Sequence, residues 1–153
     1  MNRRQVLTRT APLLTTAVGV TGCLSLGDDG ESTLGTLSIV NRSEEAQTVD
    51  VRVRWGDELV HESTHELDGA SNGSTSATPA KTWPDEPGQF TLSARNAGGD
   101  WQTVDPADRE YPACYAVIFQ VTAEGRLSNL IGTDEHECSD EALASNRDAV
   151  DES

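Results

Sequence analysis

The eight residues "TVDVRVRW", Thr48 to Trp55, constrain this chain more than any other stretch. Val49, Val51, Val53 and Trp55 fall on one side of an extended backbone, and Asp50, Arg52 and Arg54 on the other. Strict alternation suits a strand with one face in a core and one in water, whereas a helix would mix the two sets around its axis. Gly56-Asp57 follows at once and is a two-residue hairpin signal.

The same reading extends along the chain. "LGTLSIVN" turns Leu37 and Ile39 inward, and "RSEEA" reverses it. The polar stretch "DGASNGSTSATPA" leads to a short "KTW" and the turn-rich "PDEPG". "QFTLSARN" alternates through Phe90 and Leu92, Gly98-Gly99 turns the chain, and "WQTV" is a candidate further strand. "CYAVIFQVT" is the most apolar run, as a central strand requires, and Glu124-Gly125 returns it into "RLSNLIGT". Seven or eight short strands and no convincing helix predict an all-β fold. The expectation is a single antiparallel sandwich over Leu34 to Cys138, 105 residues.

"LSIVN" followed by "VDVRV", the "PG-x-F" entry into a strand, and "C…VIFQVTAEGRL…C" resemble the immunoglobulin-like domains of small haloarchaeal surface lipoproteins. The resemblance implies the sandwich architecture, not the antibody framework. The strand Thr48 to Trp55 carries no Cys, and Pro112 stands two residues before Cys114, where that framework has a Tyr.

Residues 1–22 read as a signal peptide. Arg3 and Arg4 precede Gln5, Val6 and Leu7, and the apolar stretch Ala11 to Val20 is far shorter than the roughly 20 residues of a membrane span. The start resembles a twin-arginine export signal, with Val6 where Phe is common. Val20-Thr21-Gly22-Cys23 resembles a lipobox, in which Cys23 receives lipid and becomes the new N-terminus. Residues 23–33 are small, polar and acidic, a flexible tether. Residues 139–153 read as an acidic disordered tail, with at most one helical turn capped by Ser139 or Asp140.

Charge narrows the setting. From Cys23 onward 26 acids face 8 bases, a net charge of −18, and Lys81 is the only lysine. Such a surface repels itself in dilute buffer and is tolerated where concentrated salt cuts the screening length to about 3 Å. It resembles the acidic, lysine-poor surfaces of haloarchaeal proteins. The same charge argues against nucleic acid as a partner.

With Cys23 lipidated, Cys114 and Cys138 remain as an even pair in an oxidising compartment. If Glu124-Gly125 is a hairpin tip, residues whose numbers sum to 249 face each other. Cys114 then lies opposite Glu135, and Cys138 folds back to reach it. The bridge would contribute on the order of 3 kcal/mol by loop entropy.

"HESTHEL", His61 to Leu67, contains the His-Glu-x-x-His spacing of a zinc peptidase family. That chemistry needs a helix, where both His aim at one ion and Glu62 activates water. On a strand the two positions lie about 13 Å apart at ~3.3 Å per residue. A helix here would have only Leu59, Val60 and Leu67 to pack, so hairpin pairing with the preceding strand is the simpler continuation. Asp68 and Ser71 also occupy the Gly and third His positions of the extended motif. A blue-copper site fails on chemistry: the only Met is Met1, and no His follows Cys138. A plain two-residue turn at Gly56-Asp57 pairs Val51 with Glu62, aiming Glu62 at the core and both His outward. A bulge near Val60 exchanges the faces.

Asn41-Arg42-Ser43 and Asn72-Gly73-Ser74 are N-glycosylation sequons in expected loops. The sequence therefore predicts a monomeric extracellular lipoprotein, held at the membrane by lipid on Cys23 and without cofactor or catalysis. Its sandwich would be a binding or cell-envelope module for an extracellular protein or glycan. The alternative is a zinc peptidase using His61, His65 and Glu62.

Overall fold

Alternating apolar residues become strands throughout the chain. The computed structural model describes residues 30–148 apart from Asn72. Arg3, Arg4, Cys23, Asn72 of the second sequon and the last five residues lie outside the described residues. Among the described residues eight strands are present: β1 (Thr33–Asn41), β2 (Gln47–Trp55), β3 (Glu58–Leu67), β4 (Thr75–Ala77), β5 (Phe90–Asn96), β6 (Gln102–Val104), β7 (Cys114–Val121) and β8 (Leu127–Gly132). They form two four-stranded sheets, ordered β4-β1-β7-β8 and β3-β2-β5-β6. The fold is an all-β sandwich, as the alternation requires.

The core lies between the sheets. Val49, Val51 and Val53 of β2 face Ile39, Val117 and Phe119 of the other sheet within one cluster, all at 0% exposure. Burial of one such side chain contributes about 1.5–3 kcal/mol. β7 is central, as its apolar run demands.

Contrary to the expected antiparallel sandwich, one pairing is parallel: β1 runs alongside β7 in the same direction, with Ile39 beside Phe119 and Val40 beside Gln120. β1 is thereby enclosed between β4 and β7. A register shift between Leu34 and Leu37 lets both leucines point inward although three residues apart. Gly35 occupies that shift because the Glu137 carbonyl lies where a Cβ would stand. A Cβ on Gly88 would likewise meet the indole of Trp55, which stacks on Phe90 at 5.0 Å.

Three boundaries differ from expectation. Backbone pairing reaches Ser32, inside the stretch read as tether: its N–H and C=O pair with Gly88, and its side chain is buried. β4 lies in the stretch read as a polar loop; with no apolar alternation to mark it, it is made by backbone pairing to β1. Residues 140–148, read as tail, form the helix α1 (Asp140–Asp148). Ser139 caps α1, its hydroxyl accepting from Ala142 N, and Leu143 and Asn146 pack onto the sandwich. Nine residues with two buried contacts give little periodicity to read.

The β7–β8 hairpin pairs Val121 with Leu127 and Ala116 with Gly132, shifted by one residue from the expected register. A 3₁₀ turn at Glu135–Cys138 then brings Cys138 back to Cys114, and the two are disulfide-bonded with their Cα atoms 5.7 Å apart. The chain enters beside Gly88 and the start of β7. The β1–β2, β5–β6 and β7–β8 turns gather at the opposite end, where Asn96 Nδ2 donates to Gly125 O at 3.1 Å.

Candidate functional site

β3 is the edge strand that carries HESTHEL, and one extra residue decides which way it faces. Trp55 pairs with Glu58 and Arg54 with Leu59, but Val53 pairs with His61, so Val60 is a bulge. Beyond it the phase is reversed: His61, Ser63 and His65 share the inner side with Val53, Val51 and Val49, and Glu62 lies outside opposite Arg52. Of the two registers the sequence allowed, the bulged one is present. The driving terms are visible. Glu62 Oε2 meets Arg52 Nε at 2.7 Å in water rather than entering the core uncompensated.

The inward side chains form a hydrogen-bonded row. Thr82 Oγ1 donates to Val60 O at 2.7 Å, the carbonyl of the bulge residue. Its one proton being committed, Thr82 accepts from His61 Nδ1 at 2.8 Å. His61 Nε2 is then bare and accepts from the Ser63 hydroxyl at 2.8 Å, and Ser63 in turn accepts from His65 Nε2 at 2.7 Å. Trp83 covers His61 edge-on at 5.4 Å between ring centres. Burial lowers the proton affinity of both imidazoles, with the neighbouring His65 adding to the effect on His61. The bonding pattern gives His61 a protonated Nδ1 and a bare Nε2, the neutral ring, and burial disfavours the charged form of His65.

This row corrects one expectation and sharpens another. Both Nε2 atoms sit on one hydroxyl, so they lie within about 5.5 Å of each other, the two bonds laid end to end, not the 13 Å of the backbone spacing. Two imidazoles can thus converge from a strand. Glu62 nevertheless faces the opposite side of the sheet, where no water held by those rings could reach it. Among the described residues, no three of His, Cys, Asp and Glu gather as a metal-holding group. Thr82, which fixes the tautomer, carried no signal in the sequence, since its partner stands 21 residues earlier.

The remaining site candidates separate. Cys114 and Cys138 are brought together as the sequence predicted. Asn41 is not an exposed loop residue: it is 0% exposed, its Nδ2 donates to Glu45 O at 2.9 Å and Asp68 O at 3.0 Å, and its Oδ1 accepts from Ser43 N and Oγ. The amide closes the β1–β2 turn, and in the folded domain its nitrogen is not available to a glycan. The Ser of the sequon is the same residue that completes the turn.

The geometry defines a disulfide-closed, two-sheet β-sandwich with a buried polar row at one edge. No known protein family matches the chain, and no curated protein matches it. Among solved structures it is similar to one described as the NMR structure of a protein from Eubacterium rectale, at 12% identity over 71% of this chain and 95% of that one, with a TM-score of 0.36.

Proposed function

We propose that the protein is a lipoprotein held at the outer face of the cell membrane by lipid on Cys23, its sandwich serving as a non-catalytic binding or cell-envelope module. The observation that carries the reading is the division of HESTHEL between two faces. His61 and His65 are engaged with Ser63 and Thr82, whereas Glu62 is engaged with Arg52 on the other side of the sheet. Those residues support the fold from both sides. The signal pattern at Arg3 and Arg4, the lipobox ending at Cys23 and the net charge of −18 beyond it support an exported, anchored domain suited to concentrated salt.

Two measurements test it. Cys23→Ser should release the protein into the medium, and continued membrane retention would refute the lipid anchor. The mature protein purified in high salt should hold no stoichiometric zinc. Zinc bound one to one and lost on His61→Ala would replace this reading with the metal-dependent enzyme.

A further inference from the structure

The outer face of the β3-β2-β5-β6 sheet sets two arginines against two carboxylates around one indole. Arg52 on β2 and Arg95 on β5 stand diagonally on neighbouring strands, opposite Ser93 and Asp50. Each is anchored through one nitrogen only: Arg52 Nε to Glu62 Oε2 at 2.7 Å, and Arg95 Nε to Asp50 Oδ2 at 2.7 Å. The Thr64 hydroxyl donates to Asp50 Oδ1 at 2.7 Å, fixing that carboxylate from its other side. Both guanidinium carbons lie over the ring of half-buried Trp101, 4.1 and 4.6 Å from its centre. Asp50, Arg52, Glu62, Thr64, Arg95 and Trp101 line a shallow depression of about 110 Å³. Among the described residues, the terminal Nη groups of both arginines make no further hydrogen bond.

We propose that this depression binds a sugar acid, a carboxylate-bearing unit of an extracellular glycan. The proposal rests on the binding-module reading and supplies its ligand class. Two guanidinium forks, held flat and oriented by their carboxylates, present planar donors of the kind that takes a carboxylate bidentately. Asp50 and Glu62 keep oxygen lone pairs that accept ring hydroxyls, so the site asks for an anion and several O–H donors together. A uronic acid has both on one ring. An acidic peptide has the anion without the hydroxyls, and its further charges would meet a surface of net charge −18. Within the depression two bases balance two acids, so attraction acts at contact, where salt screens it least. Position agrees: Arg95 pairs with Asp50 near the start of β2, and Trp101 leads into β6, both toward the end opposite the chain's entry. A domain tethered at its entry end would point this site outward.

The test uses the mature protein with oligogalacturonate, its methyl ester, and acetate, followed by calorimetry. The acid oligosaccharide should bind. The methyl ester keeps every hydroxyl but not the charge, and should bind at least about tenfold more weakly, as should acetate. Arg95→Gln, Arg52→Gln and Trp101→Ala should each weaken binding by about tenfold or more, and Arg54→Gln, outside the depression, should not. Arg52→Lys with Arg95→Lys keeps the charge without the fork and guards against a folding defect; it should bind about as poorly as the Gln variants. Equal binding of acid and ester, undiminished binding by the double Lys variant, or no binding of oligogalacturonate each overturn the proposal. Failure here leaves the module reading standing if the Cys23→Ser and zinc results hold, and those results leave this site untouched if they fail.

Discussion

Asn146 holds Leu37 by both ends of its amide. Nδ2 donates to Leu37 O at 2.8 Å while Oδ1 accepts from Leu37 N at 3.2 Å, and the same Nδ2 reaches Pro79 O at 3.0 Å. A helix side chain does for β1, at its register shift, what a neighbouring strand would otherwise do. Asn146→Ala leaves these three backbone groups without that partner in a buried place and should cost about 2–3 kcal/mol, read as a lowered midpoint in denaturant. Asn146→Asp, which cannot donate to either carbonyl, should cost at least as much. An unchanged midpoint would mean that α1 does not support β1.

Acid should weaken the fold in two stages. His61 and His65 bind protons less readily when buried than in the unfolded chain, where they titrate near 6.5. The unfolded state therefore takes up protons first as pH falls, so stability complete above about 6.5 is lost as pH drops through the lower folded values. Asp50, held down by hydrogen bonds from Thr64 and Arg95, and Asp85, held down by Lys81, add a second loss below about 3.8. His61→Gln with His65→Gln should flatten the first stage and leave the second, measured as melting temperature against pH. A first stage that persists in the double variant would place its origin elsewhere.

The disulfide should act at the end of the fold. Cys138 lies in the turn whose Glu137 carbonyl packs on Gly35, and α1 follows directly. Cys114→Ala with Cys138→Ala should lower stability by about 3 kcal/mol and raise hydrogen exchange first at Leu37 and in α1. Uniform protection in oxidised and disulfide-free protein would contradict that placement.

One turn is under strain that a single substitution should relieve. Ala97 and Gly98 form a two-residue hairpin turn with φ of 53° and 69°, closed by Gly99 N donating to Asn96 O at 3.0 Å. Alanine is poorly suited to the first of these positions, where Asn and Gly are favoured. Ala97→Asn should raise stability by about 0.5–1 kcal/mol, visible as a higher melting temperature; a decrease would mean the turn is held by contacts that the larger side chain disrupts.

The parts of this fold that could be read beforehand were those where a residue's role is set by its near neighbours. Val49, Val51 and Val53 declare a half-buried strand by spacing alone, and a return hairpin after "CYAVIFQVT" carries Cys138 back toward Cys114. The inward turn of His61 was legible only as one of two registers. Choosing it depends on Arg52 being available to Glu62 outside, and on Thr82 being available to His61 inside, and the second arrives from a loop that sequence spacing does not place. Asn41 misled for a related reason: an Asn in a turn before Arg-Ser satisfies a sequon and a buried turn equally well, and only the positions of Glu45 O and Asp68 O distinguish them. Of helix α1 only a single turn capped by Ser139 or Asp140 is legible, because the rest docks through Leu143 and an amide, not through an apolar stripe.

The parallel seam between β1 and β7 sets the order in which the domain can be completed. Thr33 meets Cys114 across it, so β1, made before the other described strands, waits for one of the last of them. At synthesis rates of ~5–20 residues per second, that interval is on the order of ten seconds. β4 is made only about halfway through it, and until β7 arrives the edge of β1 that β7 covers stays open to any strand that comes near. Folding of this chain is therefore governed by a long-range closure, slow by topology and most vulnerable to aggregation before β7 arrives.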